Sequence, residues 1–364
     1  MNQKKLFFYL SLLAALFITA CSDTEEPTEI DLPREAKTLL ILNEGSWGQN
    51  NSTLARYDLE TGDLDPDYFR SVNQRGLGDV GNDMIQYGTK IYIAVNGSST
   101  IEVVEAATGK SIRQIPMETE SGQAKQPRRV AAYDGKIYVT SFDDTVTRID
   151  TASLVIDGSV TVGQDPEGIA VKGGKIYVAN SGGLNWANGY DNTLSVIDVI
   201  TFTEEKKIEV GTNPGTVHAD SQGDVYVAVT GNYANIPGAL KRIDAATGEV
   251  TTVEGIEAPG KFVIFDNRAY IISGPAGEAN RVIVYDCLNE KIITENFFTD
   301  GSEIQIMYNI SVDALSGDLF ITETDYITPG KLHCFDKNGL RKFTLYALSN
   351  NSVIGMNPSV VIAM

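Results

Sequence analysis

An internal repeat of about 45 residues constrains the fold of this chain more than any other feature. A short strand-like phrase with a central aromatic residue recurs six times, at Ile91-Tyr92-Ile93, Ile137-Tyr138-Val139, Ile176-Tyr177-Val178, Val225-Tyr226-Val227, Ala269-Tyr270-Ile271 and Leu319-Phe320-Ile321. A second strand-like segment follows each phrase and ends on an apolar residue and an acid. A seventh segment of this kind precedes the first phrase and ends at Asp58. The seven acids are 42 to 50 residues apart, at Asp58, Glu105, Asp150, Asp198, Asp244, Asp286 and Asp336. The chain is therefore an array of seven similar units.

Each unit has the pattern of four short strands joined by turns and loops. A proline-containing phrase opens several units, at Pro127, Pro166, Pro214 and Pro259. Four antiparallel strands in about 45 residues are typical of a β-propeller blade. The helical patterns that a parallel α/β architecture needs between its strands do not occur. The sequence thus predicts an all-β fold, a seven-bladed β-propeller with four antiparallel strands per blade.

The two ends of the array complement each other. Residues 39–42 and 54–58 supply later strands of a blade without its opening strand. Residues 357–363 resemble an opening strand with nothing after it. Pairing of this C-terminal strand with the N-terminal strands would close the ring and remove its exposed edges. We therefore expect residues 37–364 to form a single propeller domain.

Residues 1–20 have the pattern of a signal peptide. Lys4 and Lys5 precede a mostly apolar run of 15 residues, shorter than the roughly 18 that a membrane-spanning helix needs. The run leads into Cys21 through Ile18-Thr19-Ala20, which resembles a bacterial lipobox and implies lipidation of Cys21. An ordinary secretory signal with a chance cysteine is the alternative. Residues 21–36 read as an acidic tether. We expect an outer-membrane lipoprotein that is exposed at the cell surface and contacts the membrane only through its lipid.

The charge of the chain is strongly negative. The 29 basic and 48 acidic residues give −19, and loss of the two lysines in residues 1–20 would make it −21. Such a field repels phosphate backbones, so we expect no nucleic-acid partner. Cys287 and Cys334 stand beside apolar strand residues, which favours buried free thiols over a disulfide.

The sequence is poor in catalytic chemistry. Its two histidines, His218 and His333, are 115 positions apart and lack a flanking carboxylate motif, and no Gly-x-Ser-x-Gly, His-Glu-x-x-His or Cys-x-x-Cys occurs. We therefore expect a binding protein without catalytic residues, cofactor or metal. A calcium-dependent, lactonase-like hydrolase is an alternative, because oxygen ligands suit a hard cation. Residues of that kind fall near the predicted tunnel mouths, at Asn43, Glu44, Asp79, Asn96 and Asn180.

The long loops are predicted to lie on one face, the long-loop face. In a blade, the loop between the second and third strands and the loop to the next blade emerge at the same end. These loops are residues 43–52, 141–144, 180–192, 231–238 and 322–330, with the inter-blade stretches 71–83 and 117–129. The candidate ligand-binding residues are Trp47, Phe142, Trp186, Tyr190, Tyr233, Tyr326, Asn185 and Arg128. Aromatic rings with polar neighbours suit a large amphipathic ligand such as a corrinoid or a sugar chain. Packing of the rings onto their own loops is the alternative.

Several phrases resemble a known group of propellers. Tyr177-Val178-Ala179-Asn180-Ser181-Gly182 and Val196-Ile197-Asp198 look like the YVTN/YncE-like seven-bladed propellers. Leu42-Asn43-Glu44-Gly45, with Gly76-Leu77-Gly78-Asp79-Val80, resembles a subgroup of surface lipoproteins from gut Gram-negative bacteria. The resemblance covers residues 38–364 and is specific for architecture but weak for ligand.

This resemblance implies a function. Some members of the subgroup capture vitamin B12 at the cell surface and pass it to a TonB-dependent outer-membrane transporter. A small-molecule ligand of the cobalamin type, with such a transporter as partner, is therefore the specific expectation. A protein- or glycan-interaction scaffold at the cell surface is the alternative.

Overall fold

The computed structural model describes residues 36–274, 281–346 and 355–364. The expected signal peptide, the lipidation site Cys21 and all but the last residue of the expected tether lie outside the described residues. Within the described part, the strands form seven four-stranded antiparallel sheets. The predicted all-β, seven-bladed β-propeller is confirmed.

The blades are numbered in chain order. Blade 1 contains β1 (Thr38–Asn43), β2 (Thr53–Asp58) and β3 (Leu64–Asp65). Blade 2 contains β4 (Gly81–Tyr87), β5 (Lys90–Val95), β6 (Thr100–Glu105) and β7 (Ser111–Pro116). Blade 3 contains β8 (Pro127–Tyr133), β9 (Lys136–Ser141), β10 (Thr145–Asp150) and β11 (Ile156–Thr161). Blade 4 contains β12 (Pro166–Lys172), β13 (Lys175–Asn180), β14 (Thr193–Asp198) and β15 (Thr203–Glu209).

The remaining blades follow the same order from the inner to the outer strand. Blade 5 contains β16 (Pro214–Ala219), β17 (Val225–Val229), β18 (Ala239–Ile243) and β19 (Val250–Glu257). Blade 6 contains β20 (Pro259–Phe265), β21 (Arg268–Ser273), β22 (Arg281–Asp286) and β23 (Lys291–Thr294). Blade 7 contains β24 (Met307–Val312), β25 (Leu319–Glu323), β26 (Lys331–Phe335) and β27 (Arg341–Leu345). The last strand, β28 (Pro358–Ala363), is the innermost strand of blade 1.

Blade 1 is built from both ends of the propeller, as predicted. Strand β28 pairs antiparallel with β1, and Leu39 faces Ala363 in this pairing. The backbone N–H of Thr38 also donates to the carbonyl of Met364 at 3.0 Å. The C-terminal strand therefore supplies the backbone partners that β1 would otherwise lack, which closes the ring.

The hydrophobic core lies between neighbouring blades. Seven clusters of buried side chains fill the seven blade–blade interfaces. Because successive residues of a strand point to opposite faces, Leu39 and Ile41 pack toward blade 7 while Leu40 and Leu42 pack toward blade 2. Strands buried on both faces need no polar alternation, which explains the continuous apolar runs of the second strands. Full burial of one such leucine contributes roughly 1.5–3 kcal/mol.

The repeated acid holds the turn between the third and fourth strands. Asp198 accepts hydrogen bonds from the backbone N–H groups of Ile200 and Thr201 at 3.0 and 2.8 Å. The bond from Thr201 favours the charged carboxylate and lowers the pKa of Asp198 to about 2. Equivalent pairs of bonds are made by Asp58, Asp150, Asp244, Asp286 and Asp336. The periodic signal in the sequence is therefore a turn cap.

Two short helices depart from the expected pattern. One is a 3-10 helix at Gly183–Asn188, and the other, α1 (Tyr68–Asn73), follows the two-residue strand β3. Helix α1 buries Phe69 completely between blades 1 and 2. At its end Asn73 donates to the carbonyl of Gly109, in a turn of the face opposite the long loops. The expectation that the whole of residues 71–83 belongs to the long-loop face is therefore wrong, because burial of Phe69 draws its first part away.

Both cysteines of the propeller are unpaired. Cys287 and Cys334 are each 1% exposed and form no disulfide, which confirms the expected buried thiols. Burial raises the pKa of each thiol to about 12. Among the helices of the described residues, none has the length and apolar character needed to cross a bilayer.

Candidate functional site

Each innermost strand contains a bulge near its start, on the long-loop face. In blade 6, Pro259 faces Ser273 and Phe262 faces Ile271, so Gly260 and Lys261 share one opposing residue. The other six innermost strands show a register shift at the equivalent place. A bulge re-aims side chains relative to the regular strand. Here the bulge brings the residues that follow the first residue of each innermost strand to the entrance of the central tunnel.

A cavity of about 520 Å³ lies at this entrance, and we call it the mouth cavity. Residues from blades 3 to 7 line it. Gly215 and Gly260 occupy the bulge positions of blades 5 and 6. A Cβ atom added there would have no neighbour closer than 3.8 and 3.6 Å, respectively. These two glycines leave open space where blades 3 and 4 carry Arg128 and Glu167.

Arg128 and Glu167 form an ion pair across the mouth cavity. Nε and Nη2 of Arg128 lie 3.1 and 2.6 Å from Oε1 of Glu167, and Nη1 donates to the side chain of Asn82. Arg129 donates to the backbone carbonyl of Asn82 at 2.8 Å, and its Nε lies 3.8 Å from Oε2 of Glu167. Burial opposes ionisation of Glu167. Arg128, Arg129 and Lys261 outweigh that effect and hold the pKa of Glu167 below its usual value.

Two tyrosine pairs form aromatic parts of the wall. The rings of Tyr190 and Tyr233 meet edge to face at 6.3 Å, and those of Tyr308 and Tyr326 at 5.8 Å. The hydroxyl of Tyr308 donates to Oε2 of Glu44 at 2.5 Å. Burial raises the pKa of Tyr308, so this hydroxyl stays protonated and able to donate at neutral pH. The mouth cavity thus combines apolar ring surface with polar groups, as small-molecule sites do.

The tunnel below the mouth cavity encloses about 210 Å³ and is lined by the innermost strands. Lys261 lines both spaces. His218 packs edge to face on Phe262 at 5.0 Å, and burial lowers the pKa of His218 to about 4. Asp83 accepts a hydrogen bond from the backbone N–H of Val130 at 2.9 Å. Burial raises the pKa of Asp83 despite the nearby Arg129.

Four of the eight candidate residues line the mouth cavity: Arg128, Tyr190, Tyr233 and Tyr326. Phe142 lies beside it, with its ring 4.5 Å from the guanidinium carbon of Arg128. The amide of Asn185 donates to Oε1 of Gln164 at 3.0 Å and so holds its own loop. Trp47 and Trp186 are 64% and 67% exposed and are not among the lining residues.

The residues weighed for a calcium site hold loops in most cases. Asn43, Asn96 and Asn180 donate to Thr53, Pro127 and Thr193, and Asp79 accepts from the backbone of Gly48. Glu44 differs in that it accepts the hydroxyl of Tyr308, a residue that lines the mouth cavity. In the described part of the chain, no group of three or more His, Cys, Asp or Glu side chains is placed to hold a metal ion. The calcium-dependent hydrolase stays a hypothesis that these contacts do not favour.

A second cavity, of about 510 Å³, lies on the opposite face between blades 1 and 2. Its charged lining residues have partners within the protein. Arg56 lies 3.7 Å from Asp58 and donates to Thr38, and Glu105 accepts from the hydroxyl of Thr108. The mouth cavity differs because Lys261 makes no hydrogen bond or ion pair with the described residues. This contrast makes the mouth cavity the stronger candidate site.

The mouth-cavity residues that were not sequence candidates include Glu167, Lys261 and Tyr308. Glu167 and Lys261 lie one and two positions after the prolines that mark the openings of their units. The prolines mark where units open. The positions after the proline differ in chemistry from one unit to the next. This variation inside a repeated phrase was the available signal.

These features define the class of protein: a seven-bladed β-propeller with a polar and aromatic cavity at one mouth of its tunnel. Residues 37–344 match the model of the family described as a domain of unknown function, DUF5074, and the chain belongs to that family. No curated protein matches the sequence.

Solved structures share the fold at low sequence identity. A quinoprotein alcohol dehydrogenase-like protein from Bacteroides thetaiotaomicron is 17% identical, with a TM-score of 0.63 over 90% of this chain and 78% of that one. Hydrazine synthase from Kuenenia stuttgartiensis is 17% identical, with a TM-score of 0.57 over 71% of this chain and 77% of that one. At such identity the likeness shows the fold alone. The resemblance to vitamin B12-capturing propellers therefore stays a prediction.

Proposed function

We propose that this protein is a binding protein and not an enzyme, and that it holds a small-molecule nutrient in the mouth cavity. The observation that carries the proposal is the convergence of five blades on one cavity of about 520 Å³. That volume lies within the range of about 300–1,000 Å³ typical of ligand sites. Gly215 and Gly260 leave the cavity open, and two tyrosine pairs offer ring surface.

The specific ligand that we propose is a corrinoid of the cobalamin type, handed on to a TonB-dependent outer-membrane transporter. The sequence resemblance motivates this choice, and the chemistry of the cavity supports it. A corrinoid has a flat macrocycle with a rim of amide groups, which suits tyrosine rings beside polar side chains. It is larger than the mouth cavity. We propose that one edge enters the cavity while the remainder rests on the exposed rings of Tyr233 and Tyr326.

We also propose that a lipid at Cys21 anchors the protein to the outer membrane at the cell surface. The position of Thr38 supports this arrangement. Thr38 is bonded to Met364 on the face opposite the mouth cavity, so the described chain enters the propeller away from the site. A tether that joins the propeller there leaves the mouth cavity accessible to ligand and transporter.

Calorimetric titration of the purified protein with cyanocobalamin tests the proposal. Wild type is expected to bind at micromolar concentrations or tighter. Gly260→Phe, which places a ring in open cavity space without a positive φ, should reduce affinity at least tenfold. Trp47→Ala is the matched control, because it removes an aromatic residue of the same face outside the cavity. Absence of heat with wild type would reject the corrinoid, and equal binding by Gly260→Phe would reject the mouth cavity as the site.

A second candidate function is docking of a glycan or a protein on the same face. The observation that favours it is a set of highly exposed apolar side chains on the long loops, with Trp47 at 64%, Trp186 at 67% and Ile327 at 82%. Exposed aromatic side chains are common in macromolecular interfaces. Glycan-array binding that Trp186→Ala abolishes and Gly260→Phe leaves intact would favour this function over small-molecule capture.

A further inference from the structure

Lys261 is a cation without a bonded partner at a narrow point of the molecule. It lines the mouth cavity above and the tunnel below. Its ammonium makes no hydrogen bond or ion pair with the residues that the structure describes. The bulge formed by Gly260 and Lys261 opposite Ile272 directs the side chain to this point. An ammonium withdrawn from bulk water is costly unless a partner of opposite charge meets it.

The acids near Lys261 do not bond to its ammonium. Glu167 accepts both Nε and Nη2 of Arg128 at Oε1, and its Oε2 makes no hydrogen bond with the described residues. Glu44 receives the hydroxyl of Tyr308 at 2.5 Å and the amide of Asn82 at 3.3 Å. Asp83 receives backbone N–H groups of its own and the neighbouring strand. Among the described residues, none of these acids forms a hydrogen bond or ion pair with Lys261, which lines open space both above and below it.

The electrostatic state of Lys261 agrees with this geometry. Burial, followed by the nearby Arg129, lowers the pKa of Lys261 to about 8. Arg128 lowers it further, while Glu167 and Glu44 oppose the change. A lysine with a bonded counter-ion has the opposite tendency. The lowered pKa agrees with an ammonium that has no bonded counter-ion among the described residues.

We propose that Lys261 binds an anionic oxygen group, a phosphate or a carboxylate, that the ligand of the mouth cavity carries. This inference rests on the proposed function, because it assigns a chemical class to the ligand of the same cavity. The ammonium would receive the oxygen atoms at the junction of cavity and tunnel. Arg128 lines the cavity too, and adds positive charge there. Contacts with the tyrosine rings and the anion subsite together would orient the ligand, with its macrocycle outward and its anion inward.

Sulfate is a suitable first probe, since its charge stays constant between pH 6 and pH 10. Calorimetric or NMR titration at pH 7 should show millimolar or tighter binding by wild type and at least tenfold weaker binding by Lys261→Met. Lys261→Arg keeps the charge and should keep most of the affinity. Lys206→Met removes an exposed lysine that forms no ion pair with the described residues, and it should match wild type. Circular dichroism of each variant verifies that it is folded.

The pH dependence adds a second readout. The charged and titratable groups that act on Lys261 or line the same two spaces are Arg128, Arg129, Glu44, Glu167, Asp83, His218, Tyr190, Tyr233, Tyr308 and Tyr326. His218, with a pKa of about 4, is uncharged above pH 6. Sulfate affinity should therefore be constant from pH 6 to 7 and fall as pH rises through about 8. Affinity that is unchanged up to pH 10 would overturn the assignment to Lys261.

Two corrinoids distinguish an anion carried by the ligand from a free inorganic anion. They also separate the anion subsite at Lys261 from the proposed corrinoid binding. Cyanocobalamin carries a phosphodiester, whereas dicyanocobinamide lacks it. If Lys261 binds that phosphodiester, Lys261→Met should weaken cyanocobalamin and leave dicyanocobinamide unaffected. A third outcome is sulfate binding that depends on Lys261 while neither corrinoid binds. That result would reject the corrinoid and support a free inorganic anion, or the anion of another ligand, at Lys261. No sulfate binding by wild type at 50 mM, or equal binding by Lys261→Met, would overturn the anion subsite even where cyanocobalamin binds.

Discussion

The hydroxyl of Tyr308 donates a hydrogen bond of 2.5 Å to the carboxylate of Glu44, across 264 positions of sequence. Tyr308 belongs to the innermost strand of blade 7, and Glu44 follows the second strand of blade 1. The bond therefore spans the seam where the ring closes. It also forms part of the mouth cavity wall through Tyr308. Closure of the propeller and formation of the candidate site thus depend on the same contact.

Removal of this hydroxyl should lower stability. Tyr308→Phe leaves the Glu44 carboxylate with the amide of Asn82 alone, at 3.3 Å. Loss of a hydrogen bond to a charged group costs about 1.5–3 kcal/mol. We expect a decrease of this size in the free energy of unfolding, measured by urea denaturation. Tyr133→Phe removes the hydroxyl of an exposed tyrosine and should change stability little. Equal stability of Tyr308→Phe and Tyr133→Phe would refute a role for the bond in closure.

Deletion of residues 358–364 should destabilise the whole ring. Strand β1 would lose its pairing with β28, and its backbone groups would form an exposed edge. We expect loss of cooperative thermal unfolding and a tendency to aggregate. Met364→Ala retains the backbone bonds from Lys37 and Thr38 and serves as the control. A deleted chain that remains soluble and melts as cooperatively as wild type would contradict this closure.

Stability should decrease in acid because of the turn-capping aspartates. The pKa of each lies below its usual value, at Asp58, Asp150, Asp198, Asp244, Asp286 and Asp336. A lowered folded pKa contributes stability above the unfolded value of about 3.9, and this contribution is lost as pH falls through the folded value. The melting temperature should therefore hold between pH 5 and 7 and fall progressively below about pH 4. Scanning fluorimetry measures it, and a constant melting temperature down to pH 2.5 would be inconsistent with these caps.

Lys261→Met should stabilise the protein at pH 7 while it removes anion binding. In the folded protein the pKa of Lys261 is about 8, below the unfolded value of about 10.4, so folding opposes its charge. Wild type should gain stability as pH rises from about 8 to 10.4, because only the unfolded chain keeps the proton there. The variant should exceed wild type by on the order of 2 kcal/mol at pH 7, and the difference should vanish near pH 10.5. Urea denaturation at both pH values checks this, and a destabilised variant at pH 7 would contradict it.

The architecture was accessible from sequence because it repeats. The apolar second strands recur in each blade and the turn-capping aspartates in six of the seven, and the unmatched ends at β1 and β28 reveal the closure. The position of α1 was not accessible, because burial of Phe69 is a tertiary effect within one seam.

The candidate site was accessible only in part. Tyr190, Tyr233 and Tyr326 could be placed on the long-loop face, but loop conformation decides that they enter the cavity while Trp47 and Trp186 stay exposed. The bulges bring Glu167 and Lys261 to the tunnel entrance. A bulge appears in the pairing register and not in the spacing of residues, so the spacing alone does not reveal it.

The central claim is that the mouth cavity is the ligand-binding site. A crystal structure of the protein with cyanocobalamin tests it most directly. The account predicts ligand density between the Tyr190–Tyr233 and Tyr308–Tyr326 pairs, with an anionic oxygen at the ammonium of Lys261. Ligand bound instead in the opposite-face cavity beside Arg56, or crystals that show no ligand under saturating conditions, would contradict it.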